Sequence, residues 1–193
     1  KQYNGIDYSV CTDGSDGFFA TWLDHQNGQY QMIVQHLEGS GDIHEGFSEY
    51  GNPIASSQGI SYPVCTYAGD GNTLCSWKTS NYYEGDIYLQ KVSSDGSLLW
   101  QDQGIIIDYD EQVSQYQKVC IDNEENIYVS ALNYVEDGYS LHLQKLSLEG
   151  IHLWENPLTI NEYIIASNYE ACLDNDNNLI FRTIADSSHL KVQ

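Results

Sequence analysis

Apolar residues in this chain alternate with polar ones or form short blocks, and Gly, Asn and Asp bound most of these segments. Alternation predicts half-buried β-strands, and the bounding residues predict tight turns. No stretch shows the spacing of an amphipathic helix, in which apolar residues recur every three or four positions and share one face of the helix. The hydrophobic pattern therefore predicts an all-β protein built from many short strands.

One pattern of strands and turns recurs along the sequence. Ile87–Trp100 reads as two strands joined by an Asp-Gly turn, and Leu141–Trp154 repeats it. A diverged copy spans Ile33–Ile43, and a shortened copy, His189–Gln193, ends the sequence. Three kinds of residue recur with one period of 52–55 residues, and only the spacing before the last Gln is shorter. They are Cys11, Cys65, Cys120 and Cys172; Gln35, Gln90, Gln144 and Gln193; and Trp100 and Trp154.

Each repeat is predicted to hold four antiparallel strands. The first ends at the recurring Cys, and a polar turn leads to a second strand rich in β-branched and aromatic residues. The third strand carries the recurring Gln, and the fourth carries Trp100 or Trp154. An extended polar link, such as Asp102–Ile107, then reaches the next repeat. Four strands in about 50 residues are typical of a β-propeller blade.

We therefore predict one domain over 1–193, a β-propeller segment of about 3.7 blades. The predicted blades span 5–54, 55–107, 108–160 and 161–193, and the last is incomplete. Because the sequence ends inside a third strand, its last sheet would keep an unpaired edge. The favoured explanation is that the chain is part of a larger propeller. A small four-bladed ring that closes imperfectly is the alternative.

The charge narrows the classes of partner. Twenty-eight acidic residues against seven Lys and Arg give a net charge of -21, which argues against nucleic acid and against anionic membranes. A cation, a basic partner and a neutral glycan remain, and so does a purely solubilising role. No apolar run approaches the ~18 residues of a membrane span. Lys1 in place of an initiator Met predicts a processed or trimmed product.

The five cysteines are an odd number and cannot all pair within the chain. Four of them recur at equivalent positions, which favours a small buried apolar residue reused in each repeat. Cys65 and Cys75 flank one predicted hairpin and could form a disulfide across it.

The repeats also resemble a known group of proteins. Ile87–Trp100 with Val119–Val129 resembles the propeller repeats of secreted and cell-surface proteins of Bacteroidetes, which often end in a type IX secretion sorting domain. Asp122–Val129 is similar to a turn in bacterial seven-bladed repeat modules, although Glu125 replaces its Gly. The resemblance covers essentially the whole chain and rests on structural motifs. It implies an exported protein with a scaffold or binding role.

Two groups of residues are candidates for ligand contacts. Oxygen-bearing side chains at alternate positions suit calcium, the one cofactor candidate, although the same turns would form without it. They are Asp122, Glu124, Asn126, Asp174, Asp176 and Asn178. Aromatic residues at or after the second strands could form a partner-binding or sugar-binding rim, with packing between blades as the alternative for the tryptophans. They are Trp22, Trp77, Tyr82, Tyr83, Tyr134 and Tyr139.

No catalytic arrangement emerges from the sequence. The six His form no spaced pair typical of a zinc site, and no catalytic residues are assigned. We expect a non-catalytic binding or scaffold module of an exported or cell-surface protein. Its partners would be a protein, the remaining blades of a larger propeller, or a glycan. The alternative is a glycan-active enzyme or lyase-like propeller with its site at the channel mouth.

Overall fold

The computed structural model describes residues 7–26, 28–57, 59–79, 85–107, 114–135, 138–164, 169–184 and 190–192. No helix in these ranges is long and apolar enough to cross a membrane. The strands are β1 (Tyr8–Thr12), β2 (Phe18–Gln26), β3 (Gln29–Leu37), β4 (Asn52–Ser57), β5 (Ile60–Tyr67), β6 (Thr73–Thr79), β7 (Ile87–Val92), β8 (Ile105–Ile107), β9 (Ser114–Ile121), β10 (Ile127–Val135), β11 (Gly138–Leu146), β12 (Leu158–Ile164), β13 (Tyr169–Leu173), β14 (Leu179–Ile184) and β15 (Leu190–Val192).

The strands form sheets in sequence order. The first compact unit, residues 1–83 with 87–106, contains the sheets β1-β2-β3-β4 and β5-β6-β7-β8, apart from Ile107 at the end of β8. The second unit, residues 84–86 with 107–193, contains β9 to β12 and the three strands β13-β14-β15. Sheets of four sequential strands confirm the predicted all-β, propeller-like fold class.

The recurring Cys has one structural position in every repeat. It lies in the first strand and faces a residue of the second: Cys11 opposite Phe19, Cys65 opposite Cys75, Cys120 opposite Tyr128 and Cys172 opposite Ile180. All five cysteines lie among the described residues and are free thiols. Cys65 and Cys75 therefore meet across their hairpin, as expected, but as two thiols.

The predicted fourth strand is misplaced. Trp100 and Trp154 lie outside the strands, and the stretches before them contribute only isolated bridges, Val92 with Leu98 and Leu146 with His152. The fourth strand forms later, as β4, β8 and β12, from segments that include the predicted polar links. An Asp-Gly turn is typical of a hairpin, but here it opens a longer connection between the third and fourth strands.

The recurring Gln explains how that connection is held. Gln90 Nε2 donates to the Gln101 carbonyl at 2.8 Å, and its Oε1 accepts from the Trp100 N–H at 3.2 Å. Gln35 Nε2 likewise donates to the Ser48 carbonyl at 2.8 Å. These buried amides bind the β3–β4 and β7–β8 connections within their own sheets, where a buried amide needs such partners.

Each unit has its own apolar core. In the first unit the two sheets share a cluster of buried side chains that includes Phe19, Met32, Ile54, Cys75 and Trp77. In the second unit Leu132, Leu141 and Tyr169 pack together. Full burial of one such side chain contributes about 1.5–3 kcal/mol, so these clusters hold neighbouring sheets of a unit together.

Candidate functional site

An aspartate begins the turn after the first strand in three of the repeats. Asp13, Asp122 and Asp174 occupy this position, and Ala68 replaces the acid in the second repeat. Asp13 Oδ1 accepts the N–H of Ser15 at 2.8 Å and that of Gly17 at 3.2 Å. Carboxylates that bind their own turn in this way favour a tight hairpin.

In the first repeat this aspartate also contacts a buried histidine. His36 in β3 is 3% exposed, and its Nε2 lies 3.1 Å from Asp13 Oδ2. Its Nδ1 lies 3.1 Å from the carbonyl oxygen of Ser94, which belongs to the neighbouring sheet's β7–β8 connection. Carboxylate and carbonyl oxygens only accept hydrogen bonds, so both ring nitrogens are placed to donate. The His36 ring is thus held between the Asp13 carboxylate and the Ser94 carbonyl.

The His36 ring is also stacked on both faces. The Phe19 ring lies on one face, with centroids 4.1 Å apart and planes 21° from parallel. The His44 ring lies 4.3 Å away at 13°. Two stacked rings and two hydrogen bonds leave His36 little freedom to rotate, whereas His44 is half-buried.

The same contacts shift the pKa of the Asp13 carboxyl group. Burial raises its pKa, but the N–H groups of Ser15 and Gly17 and the His36 ring together lower the pKa below the ordinary value. Asp13 is therefore a fixed carboxylate, and we assign it a structural part in the site.

A cavity of about 410 Å³ opens beside this pair. Asp16 and Glu38 are exposed at its wall, and their carboxylates are hydrogen-bond acceptors open to solvent. Imidazole and hydroxyl groups complete the lining. The lining residues are Asp13, Ser15, Asp16, His36, Glu38, Gly39, Ser40, His44, Gly71 and Ser94.

A second cavity of about 210 Å³ lies elsewhere in the first unit. The Trp77 ring, stacked on Tyr88 with centroids 5.8 Å apart and planes 9° from parallel, forms part of its wall. The hydroxyl groups of Ser56, Ser57 and Thr79 line it as well. It is smaller and has no carboxylate in its lining.

The structure places the predicted aromatic residues in different settings. Trp77 is 2% exposed and belongs to the core, which fits its interpretation as a packing residue. Trp22 is half-buried, and Tyr139 is half-buried against the core of the second unit. The Tyr134 backbone lies in β10 opposite Tyr139. Tyr82 and Tyr83 lie outside the described residues, so the predicted rim stays a prediction.

The predicted calcium ligands satisfy their own turns. Asp122 Oδ1 accepts the N–H of Glu124 at 2.9 Å and that of Asn126 at 2.8 Å. Asp174 Oδ1 accepts in the same way from Asp176 at 2.9 Å and Asn178 at 2.8 Å. In the part of the chain that the structure describes, no three His, Cys, Asp or Glu residues are grouped to hold a metal ion. These hydrogen bonds account for the turns without a cation.

The sequence analysis missed the His36–Asp13 pair, although the repeats contain a signal for it. The residue after the recurring Gln is basic in three repeats: His36, Lys91 and Lys145. Each lies 23 residues beyond the turn position held by Asp13, Ala68 or Asp122. In the third repeat Lys145 Nζ lies 5.0 Å from the centre of the Tyr128 ring, whose hydroxyl donates to Asp122.

Comparison with known proteins gives a fold and no family. No family model matches the sequence, and no curated protein matches it. Among solved structures, an endo-arabinase from Bacteroides thetaiotaomicron is similar, with a TM-score of 0.51 and 13% identity over 92% of this chain and 70% of that chain. The likeness supports the propeller-like fold.

Two further structures align at lower scores. One is an α-L-arabinofuranosidase from Podospora anserina, with a TM-score of 0.47 and 10% identity over 100% of this chain and 65% of that chain. The other is the catalytic domain of an α-L-arabinofuranosidase from Coprinopsis cinerea, with a TM-score of 0.45 and 11% identity over 100% of this chain and 69% of that chain. At these TM-scores, we draw no conclusion about this chain from the two alignments.

Proposed function

We propose that this chain is a non-catalytic, glycan-binding β-propeller module of an exported or cell-surface protein. The cavity beside His36 and His44 carries the proposal. Asp16 and Glu38 offer exposed carboxylates that accept hydrogen bonds from sugar hydroxyls, and Ser15, Ser40 and Ser94 add hydroxyl groups. The net charge of -21 favours a neutral ligand over an anionic one.

The rigid part of the site suits binding. The His36–Asp13 pair uses both ring nitrogens and both carboxylate oxygens in fixed contacts, so these groups position the wall and leave Asp16 and Glu38 for the ligand. A site that is held by buried neighbours loses little conformational entropy when it binds.

Isothermal titration calorimetry with arabinose-containing and cello-oligosaccharides tests the proposal. We expect Glu38→Gln to weaken binding about tenfold or more, because one charge-assisted hydrogen bond contributes about 1.5 kcal/mol or more. Glu49→Gln is the matched control, since Glu49 is exposed and outside the cavity lining. Equal binding by both variants, or no binding of any oligosaccharide, would contradict the proposal.

A glycan-active enzyme is the second candidate. The structural likeness to an endo-arabinase favours it, although only the fold is shared at 13% identity. Release of reducing sugar from arabinose-containing polysaccharide by the purified chain would establish this alternative. Binding without release supports the non-catalytic module.

A further inference from the structure

The second cavity, of about 210 Å³, is lined by both sheets of the first unit. Its residues come from β4 of the first sheet and from β5, β6, β7 and the β7–β8 connection of the second sheet. None of these residues lines the cavity beside His36. The two cavities are therefore built from separate sets of residues.

The two cavities also lie at opposite ends of β6. Gly71, just before β6 begins at Thr73, lines the cavity beside His36, whereas Thr79, the last residue of β6, lines the second cavity. A strand rises about 3.3 Å per residue, so the length of β6 places the two cavities about 20 Å apart. One small ligand therefore cannot contact both.

Apolar and aromatic side chains form a fixed wall of the second cavity. Ile60 and Trp77 are almost fully buried, so the core holds them in place. The half-buried Tyr88 lies directly across the β6–β7 ladder from Trp77, and the two rings are stacked. Rigid aromatic groups of this kind offer an apolar surface that suits the C–H groups of a sugar ring.

The remaining lining is polar and uncharged. Ser56 and Gln103 are exposed, and Ser57 and Thr79 are half-buried. Each hydroxyl can donate one hydrogen bond and accept others, and the amide of Gln103 can do both. Among the residues that the structure describes, no charged side chain lines this cavity. A charged ligand would lose hydration here without a counter-charge, so the lining favours a neutral ligand.

We propose that the second cavity is a separate binding site for one neutral sugar ring of a glycan. The C–H face of the ring packs against the wall at Trp77 and Tyr88, and the ring hydroxyls exchange hydrogen bonds with the polar lining. The cavity volume equals about seven water molecules at about 30 Å³ each, which admits one ring and not a chain of several.

This site extends the proposed function to a second place on the molecule. One chain that binds sugar at both ends of β6 holds two glycan segments at once, and so can link them. The second site does not rest on the cavity beside His36, because no residue lines both cavities.

The experiment is a titration of the ¹⁵N-labelled chain, followed by the shifts of its amide signals in NMR spectra. The probes are the methyl glycosides of arabinofuranose, xylopyranose and glucopyranose, and benzyl alcohol represents a purely aromatic ligand. We expect at least one glycoside to shift the signals of Ser57, Thr79 and Gln103 along one saturation curve. No saturable shift of these signals with any glycoside, or saturation by benzyl alcohol alone, would overturn the proposal.

The positions of the shifts separate this inference from the proposed function. Shifts at Ser57, Thr79 and Gln103 without shifts around Asp16 and Glu38 would support the second site and contradict the site beside His36. The reverse pattern would overturn the inference and leave the proposed function intact.

Thr79→Val tests the polar lining, because it removes a hydroxyl and keeps the shape of the side chain. We expect the Kd of the glycoside to rise about fivefold, as for the loss of one hydrogen bond. Thr159→Val makes the same change at an exposed position of β12 and should leave the Kd unchanged. Gln103→Ala, at an exposed position that folding tolerates, should weaken binding similarly. An unchanged Kd in both cavity variants would contradict the proposal.

Discussion

His36 shows how a polar side chain is held inside a mostly apolar β core. Its two ring nitrogens face acceptors on two different sheets, Asp13 and the Ser94 carbonyl. Its two faces contact Phe19 and His44. A buried polar group is stable only when it is hydrogen-bonded, and this geometry gives both ring nitrogens a partner. The loss of either partner would leave a buried polar group without compensation.

We expect Asp13→Asn to lower the free energy of unfolding by about 1–3 kcal/mol at pH 7, because it removes the carboxylate that faces buried His36. The folded-state pKa of Asp13 lies below its ordinary value of 3.8. The carboxylate's contribution is therefore complete above about pH 4–5 and is lost as the pH falls through the folded-state pKa. Urea unfolding of both proteins at pH 7 and near pH 3 measures the difference.

Asp42→Asn is the control for Asp13→Asn. Asp42 is exposed and bonds only to the nearby Ser40 hydroxyl in the contacts described for its side chain. Its substitution should change stability by less than about 0.5 kcal/mol. A difference between Asp13→Asn and the parent chain that widens as the pH falls would contradict the assigned role of Asp13.

Gln90→Ala tests the recurring glutamine. The fully buried Gln90 amide holds the β7–β8 connection through Gln101 and Trp100. We expect a loss of about 1–3 kcal/mol, since the buried partners lose their hydrogen bonds. Gln29→Ala, at an exposed position of β3, is the matched control and should cost under about 0.5 kcal/mol. Equal losses in chemical denaturation would show that Gln90 has no special role.

At the scale of strands, the sequence predicted the repeat and the first three strands because these depend on local patterns. Cys, turn and β-branched residues follow one another within about 20 residues of each repeat. The fourth strand was misplaced, because the short apolar run Leu98–Trp100 resembles a strand in the sequence, whereas its Trp100 N–H is bound by a buried amide from β7. A hydrogen bond from a buried side chain to a connection leaves no mark in local hydrophobic periodicity.

The candidate site was harder to predict for a related reason. Asp13, His36 and Ser94 come from three connections or strands of two sheets, and only packing brings them together. Their one sequence signal is the basic residue after the recurring Gln, which comparison of the repeats reveals. Trp77, in contrast, is conspicuous in the sequence but lies in the core. An aromatic residue in a second strand is thus ambiguous until its burial is known.

Gly104→Ala tests the packing of the fourth strand. Gly104 has a φ of 70°, and a Cβ there would lie 2.6 Å from the Leu89 carbonyl oxygen. Gly69 has a similar φ of 81° with nothing within 4 Å of its Cβ position. Both variants incur a backbone cost of about 1 kcal/mol, and Gly104→Ala adds about 1–3 kcal/mol of steric strain. Thermal unfolding of the two variants isolates that added strain, and we expect the lower Tm for Gly104→Ala. Equal Tm values for the two variants would contradict this expectation.

At the scale of the whole chain, the acidic residues far outnumber the basic residues that could pair with them. Seven Lys and Arg residues can each neutralise one acid, which leaves most of the 28 acidic residues without such a partner. Lys118 and Glu170, 3.5 Å apart, form an exposed pair of the kind that contributes little. A net charge of -21 repels itself more strongly in the compact state than in the unfolded chain.

Salt should therefore stabilise this protein. Sodium chloride at about 0.5 M screens charges beyond a few ångströms, so it weakens the general repulsion more than it weakens contacts such as His36–Asp13. We expect an increase of about 1 kcal/mol in stability between about 0.02 and 0.5 M chloride, or about 2–4 °C in Tm. Chloride is preferable to sulfate, which also strengthens apolar burial. If the two compact units melt separately, both transitions should shift upward. A fall in Tm with chloride would mean that attractive pairs outweigh the net charge in the folded state.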